Sequence, residues 1–269
     1  MTRIACTTTA LVVACAGAAA EPVRSGRAQV EWIAKTAGYS PGEPVVTALK
    51  MTLDQGWHTY WINPGEAGMP LSVDFKLPDG WSADDPAYPF PIRFKTGDLS
   101  DFGYEGSVIF PIVIHPPAGV DGDIAINASF SWLVCDDSAC IPGDAMLSLT
   151  LKAGDSTPTP AAAEITKTIN QIPTDAPEGW QLSLTETPKT VKLELTIPDG
   201  HHARELVVFP RTIDAIHPAA EFEWKASGDK WATSVPKSPF APETIEAIDL
   251  VISAPSLDRP ITVGWSAKE

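Results

Sequence analysis

Two cysteines separated by four residues, in Cys135-Asp136-Asp137-Ser138-Ala139-Cys140, are the side chains of this 269-residue chain best suited to chemistry. Their sulfurs can meet if the intervening loop folds back, so a disulfide is sterically feasible. Three uses of such a pair stand open on spacing alone. It could staple the loop, although closing so small a ring contributes only about 2 kcal/mol in the chain-closure picture, against roughly 4.7 for a hundred-residue loop. It could present both sulfurs to an incoming thiolate as an exchange centre, which needs no cofactor. It could, with Met51 or Met69, offer soft ligands to copper(I), but no Met-rich or clustered Cys/His spacing supports a metal site. The spacing is not Cys-x-x-Cys, and no strand–helix–strand pattern surrounds it. Asp136 and Asp137 oppose ionisation of a neighbouring thiol, so an activated thiolate would have to come from a partner.

The other candidates are weaker. His58 lies among aromatic residues and could either pack there or act as a base on a nearby thiol. His201-His202 follow Pro198-Asp199-Gly200 and read as a turn. His115 precedes Pro116-Pro117 and reads as a strand end, and Asp84-Asp85 sit in a Pro-rich loop as solvated charge. There is no Gly-rich phosphate loop and no Gly-x-Ser-x-Gly nucleophile turn.

The remaining cysteines, Cys6 and Cys15, fall in the first twenty residues. Arg3, the apolar run Ile4 to Ala20 and the closing Ala18-Ala19-Ala20 have the layout of a secretory signal peptide cleaved near Ala20. A second reading takes Val12-Val13-Ala14-Cys15 as a lipoprotein signal that leaves Cys15 lipidated. Either way the mature chain is exported, to a periplasmic or other compartment where a disulfide persists. A net charge of −15 argues against nucleic acid as a partner and against an anionic membrane surface.

The elements that must hold the pair are strands. The 26 prolines break up long helices, and Pro/Gly turns punctuate short β-rich runs. Gln29–Ile33, Val45–Met51 and Leu147–Leu151 are such runs, and Ile124, Ile126, Ala128, Phe130 and Trp132 alternate with small or polar residues. The cysteines therefore lie near the ends of a strand–loop–strand unit. Asn63-Pro64-Gly65 is among the turn signals. Ala153 to Ala163 reads as a boundary, and Ala161 to Gln171 as a short helix with Ile165 and Ile169 on one face. From Trp180 a second β-rich stretch includes Val191–Ile197, Leu206–Phe209, Ile248–Ile252 and Ile261–Trp265. The expected architecture is all-β: two tandem immunoglobulin-like antiparallel β-sandwich domains, residues 27–152 and 180–269, joined by a linker with a short helix over 153–179.

Three motifs in order, Trp57-His58-Thr59-Tyr60-Trp61-Ile62-Asn63-Pro64-Gly65-Glu66-Ala67-Gly68-Met69-Pro70, Phe102-Gly103-Tyr104-Glu105-Gly106, and Trp132 through Cys135 to Cys140-Ile141-Pro142, resemble one family. They are similar to the periplasmic N-terminal region of the thiol:disulfide interchange protein DsbD, of the suppressor of copper sensitivity protein B type. The similarity runs from about Arg27 to Leu151. The resemblance implies an immunoglobulin-like sandwich whose loop cysteines accept electrons from a thioredoxin-like donor and reduce periplasmic acceptor disulfides. It implies that Cys140 forms the mixed disulfide and Cys135 resolves it. It places a protective cap near Lys95 to Tyr104, including Phe102 and Tyr104, with Tyr60 and His58 beside the sulfurs. The family's membrane and thioredoxin-like domains do not follow before Glu269, so separate donors are expected, including a separate membrane electron transporter. The family name also raises a role in copper tolerance.

Overall fold

The structure is a computed structural model describing residues 21–268; the segment expected to be a signal peptide, with Cys6 and Cys15, lies outside the described residues. Among those residues the chain is nearly all β. The first strands are β1 (Val23–Ser25), β2 (Ala28–Ala34), β3 (Gly38–Tyr39), β4 (Val45–Leu53), β5 (His58–Gly65) and β6 (Ser72–Lys76). They are followed by β7 (Ser82–Ala83), β8 (Ile92–Thr96), β9 (Leu99–Glu105), β10 (Ser107–His115), β11 (Ile124–Cys135) and β12 (Cys140–Ala153). One sheet has the order β1-β2-β4-β10-β7. The other runs β3-β12-β11-β5-β9-β8, with β6 also paired to β11.

The alternation along β11 places Ile126, Ala128, Phe130 and Trp132 in the core, each no more than 1% exposed, where they meet the inward face of the opposing sheet. Trp32 on β2 packs edge-on to Phe130 at 5.5 Å. Its indole N–H donates to Thr47 Oγ1 at 3.0 Å, and that hydroxyl donates to the Ile112 carbonyl at 3.1 Å. The buried polar atoms of this contact are thus satisfied, as a dry core requires.

Helix α1 (Ala162–Ile169) is shorter than the expected 161–171. Its end tightens into a turn in which Gln171 N donates to Thr168 O at 2.8 Å, just before Pro173. Ile165 is fully buried against Ile33, Ala48 and Ile109, and Lys50 pairs with Glu164 at 2.9 Å.

Beyond the helix come β13 (Thr174–Asp175), β14 (Gln181–Glu186), β15 (Thr190–Thr196), β16 (Val207–Pro210), β17 (Lys225–Ser227), β18 (Lys230–Pro236), β19 (Ala247–Ser253) and β20 (Ile261–Ser266). They form two four-stranded sheets, β13-β20-β19-β16 and β14-β15-β18-β17. A second apolar cluster lies with them, built from residues such as Leu193, Leu195, Ile248, Leu250 and Ile252.

One strand of this later region reaches into the first cluster. Phe209 on β16 is 4% exposed and packs edge-on against Trp61, Phe90 and Phe102 at 6.2, 5.2 and 5.2 Å. The Arg93 guanidinium lies over the rings of Phe102 and Phe209, at 4.8 and 5.6 Å, and donates to the carbonyls of Pro218 and Ala220.

Asn63-Pro64-Gly65, a turn signal in the sequence, instead ends strand β5, whose pairing with β9 is irregular between Tyr60 and Gly65. The reason is tertiary. Asn63 is 2% exposed; its Nδ2 donates to Pro210 O at 2.8 Å, while its Oδ1 accepts from Gly65 N at 3.2 Å.

Candidate functional site

Strand β11 ends on Cys135 and β12 begins on Cys140, and the two residues are register partners. The turn between them is shaped by Asp136. Its Oδ1 accepts from Ser138 N, Ser138 Oγ and Ala139 N, each at 2.8 Å, and its own N–H donates to Ala139 O at 3.0 Å. These hydrogen bonds, led by that from the Ser138 N–H, hold the Asp136 carboxyl below its ordinary pKa. The hydrogen-bonded pair is therefore Asp136/Ala139, which leaves Cys135/Cys140 as a non-hydrogen-bonded pair, where opposing Cα atoms come closest. Their Cα atoms are 4.1 Å apart and the sulfurs are bonded.

The two sulfurs have different surroundings. Cys135 is fully buried, whereas Cys140 is exposed. The neighbour of Cys135 across the sheet is His58, the first residue of β5, whose partner on its other side is Glu105 of β9. Thr59 Oγ1 ties the strands together by donating to Leu133 O at 3.0 Å. Tyr60 lies two residues along the same face, with Gly103 opposite. A side chain at Gly103 would drive its Cβ to 1.9 Å from the Thr59 carbonyl oxygen, so this strand approach admits only glycine. Gly68, at φ +90°, has its Cα hard against the Tyr60 ring, where a Cβ would come within 2.2 Å.

The β8–β9 hairpin completes the face. Phe94 of β8 pairs with Asp101 of β9, and its ring lies 4.1 Å from that of His58 and 6.1 Å from that of Tyr60. Thr96 Oγ1 donates to Asp101 Oδ2 at 2.7 Å and lies 3.3 Å from His58 Nε2, which is also 3.3 Å from Tyr60 Oη. Asp101 has no exposure, and its Oδ1 accepts from Ala67 N at 2.9 Å. Burial lowers the His58 pKa from 6.5 in spite of the charges of Asp101, Glu105, Asp137 and Asp136, and so favours the neutral ring. Burial, with Asp101, pushes Tyr60 up to about 12.

Of the residues expected beside the sulfurs, the structure gathers His58 and Tyr60 on the face of Cys135. Phe102 and Tyr104, expected in the cap, do not lie on this face. They alternate with Asp101, Gly103 and Glu105 along β9 and turn into the core. Phe102 is fully buried against Trp61 and Phe209, and Tyr104 is 7% exposed with its hydroxyl donating to Pro89 O at 2.7 Å. Phe94, Thr96 and Asp101, which sequence reasoning did not single out, take those places at the face. Their signal is the i, i+2 spacing of Phe94 with Thr96 and the i, i+4 spacing of Asp101 with Glu105, readable only once the pairing of β8 with β9 and of β9 with β5 is known. Trp61, next to Tyr60 on β5, is 1% exposed and belongs to the core.

The sequence model of the family "Thiol:disulfide interchange protein DsbD, N-terminal" matches residues 29–152, the span that carries both cysteines and every residue of this face. Residues 29–152 are a DsbD N-terminal-type domain. Among solved structures, the N-terminal periplasmic domain of ScsB from Proteus mirabilis aligns with a TM-score of 0.68 at 19% identity, covering 93% of this chain and 99% of that one. That likeness is one of fold, and it extends past the DsbD-type segment into the later strands. A protein of unknown function from Porphyromonas gingivalis W83 aligns at 16% identity over 90% of this chain and 100% of that one, with a TM-score of 0.28. No curated protein sequence matches the chain. No helix among the described residues is long and apolar enough to cross a membrane.

Proposed function

We propose that this is an exported thiol–disulfide exchange protein. It passes electrons from a thioredoxin-like donor to disulfide-bearing acceptors by cycling Cys135 and Cys140 between disulfide and dithiol. The observation that carries this reading is the asymmetry of the bond, with Cys140 exposed in a short turn and Cys135 enclosed beside His58. Exchange requires in-line approach of a thiolate to one sulfur while the other departs. Cys140 offers the approach, and Cys135 is the protected leaving and resolving group. In the reductive direction, the Cys140 thiolate attacks an acceptor disulfide and expels one acceptor thiolate. Cys135 then attacks Cys140 Sγ, re-forms the internal disulfide and releases the second acceptor thiolate, so two electrons pass to the acceptor.

A purely structural staple is the less favoured alternative. The bond joins residues already paired by the hairpin, so it restricts the unfolded chain little. A copper(I) role would have to use the two sulfurs without further help from a cluster: among the described residues no group of three or more His, Cys, Asp or Glu side chains is placed to hold a metal. In the same proposal, residues 27–152 and 180–269 are two tandem immunoglobulin-like sandwiches joined by the helical segment 153–179, and a cleaved signal peptide delivers the protein to the periplasm.

Substituting each cysteine tests the order of events. Reduced Cys135→Ala protein should accumulate a covalent mixed disulfide with a disulfide-bearing acceptor through Cys140, one acceptor thiolate being expelled, seen as a mass shift that dithiothreitol removes. Cys140→Ala should abolish exchange. Equal exchange by both variants and the parent would remove the mechanism.

A further inference from the structure

The hydrogen bonds around His58 fix which of its ring nitrogens is free. Thr96 Oγ1 has one proton, and at 2.7 Å that proton is given to Asp101 Oδ2, because a buried carboxylate that already accepts from Ala67 N can only accept. Toward His58 the Thr96 oxygen must therefore accept, so the 3.3 Å contact requires a proton on Nε2. The Tyr60 oxygen, also 3.3 Å away, can share that same N–H. A neutral His58 then keeps its lone pair on Nδ1, for which the described residues supply no hydrogen-bond partner. Asp101, Thr96 and His58 form an ordered chain anchored on a carboxylate, with the ring braced by Phe94 at 4.1 Å. His58, which ends this chain, is the register partner of Cys135 across the sheet, where side chains of paired residues meet at roughly 4.5–5.5 Å between Cβ atoms.

We infer that His58 is the proton acceptor for the Cys135 thiol, with Thr96 and Asp101 as positioning residues that hold its tautomer. The inference rests on the exchange function proposed above and deepens it. A thiol released at Cys135 is enclosed next to His58, whose charged neighbours are Asp101, Glu105, Asp137 and Asp136, and in such surroundings burial and negative charge both oppose a thiolate. A base that is neutral at pH 7 and one strand away relieves this. When the acceptor is held on Cys140, the Cys135 S–H proton moves to His58. The sulfur lone pair attacks Cys140 Sγ, and the bond between Cys140 and the acceptor sulfur breaks with its electron pair on the departing thiolate. The imidazolium then returns its proton to solvent or to that thiolate. When an incoming thiolate opens the disulfide, the same path runs in reverse and delivers a proton to Cys135.

The test follows the two steps separately, using the full-length reduced protein and the chromogenic aryl disulfide dithiobis-nitrobenzoate at equal concentration in a stopped-flow instrument. The first thionitrobenzoate released reports attack by Cys140, and the second reports displacement by Cys135. In the parent, the second release should be nearly flat in pH through the neutral range, because the base rather than bulk pH governs it. In His58→Gln it should fall by about a hundredfold at pH 7 and climb steadily with pH, while the first release is unchanged. Thr96→Val keeps the imidazole and removes the oxygen that fixes its tautomer. It should slow the second release severalfold in the same sense, and it decides the matter if His58→Gln fails to fold. Parent-like second release and pH profile in the folded variants would overturn the inference while leaving exchange intact. Failure of the parent to release the second equivalent would instead overturn the exchange function itself.

Discussion

At the scale of single residues, the site sets a buried cysteine beside a buried histidine and surrounds both with carboxylates. Desolvation outweighs the four acidic neighbours of His58, since its pKa lies below 6.5. That has a consequence for stability. The unfolded chain takes up a proton on this residue near its ordinary value, whereas the folded protein does so only at lower pH. Between the two values the unfolded state binds more protons, so stability rises with pH there. The His58 contribution is complete above about pH 6.5 and is lost as the pH falls through the depressed folded value. Urea unfolding of parent and His58→Gln protein should therefore show the parent losing more stability between about pH 6.5 and pH 5. Parallel curves would mean that the ring is solvated.

At the scale of elements, the site is where three strands converge, and the closeness of their approach is encoded in glycine. Gly103→Ala would press a methyl group into the Thr59 carbonyl and separate β9 from β5. It should cost about 1–3 kcal/mol or more in chemical denaturation and weaken the pairing of Glu105 with His58. The strands themselves were legible in the sequence where alternation was strong. Ile124 to Trp132 and Leu147 to Leu151 each lie within a strand, and the run from Val191 lies within β15 as far as Thr196, because an apolar face of period two can be buried in only one way. The Cys135/Cys140 unit was legible for the same reason, as a loop between two such runs. The β8–β9 hairpin was not. Ile92–Thr96 is short and half-exposed, with no burial pattern to declare its face. The resemblance pointed to Lys95 to Tyr104, which lies in the β8–β9 hairpin, but which side chains look toward the sulfurs depends on register. A shift of one residue separates inward Phe102 and Tyr104 from outward Asp101, Gly103 and Glu105. Asn63 was misread as a turn former because its partner, the Pro210 carbonyl, is 147 residues away.

At the scale of the molecule, the later strands bear on the elements that carry the site. Phe209 fills the space among Trp61, Phe90 and Phe102, Asn63 of β5 donates to Pro210, and Arg93 of β8 reaches the Pro218 and Ala220 carbonyls. The two strands that present His58 and Phe94 are thus braced from behind by residues some 120 to 150 positions further along. Phe209→Ala should destabilise the protein by about 3–5 kcal/mol, as truncation of a buried aromatic does. It should also raise hydrogen exchange in β8 and β9 more than in β12. An effect confined to residues 180–269 would mean that the contact does not hold the hairpin.

The central claim is that the Cys135–Cys140 bond is made to be exchanged. Equilibrating the full-length protein with defined dithiol/disulfide ratios and counting free thiols gives its reduction potential directly. A value within the range of about −120 to −270 mV spanned by exchange proteins is the result this account predicts. A value below about −300 mV, with the bond intact after exposure to reduced thioredoxin-like protein, would contradict it and leave the disulfide a fixed part of the hairpin.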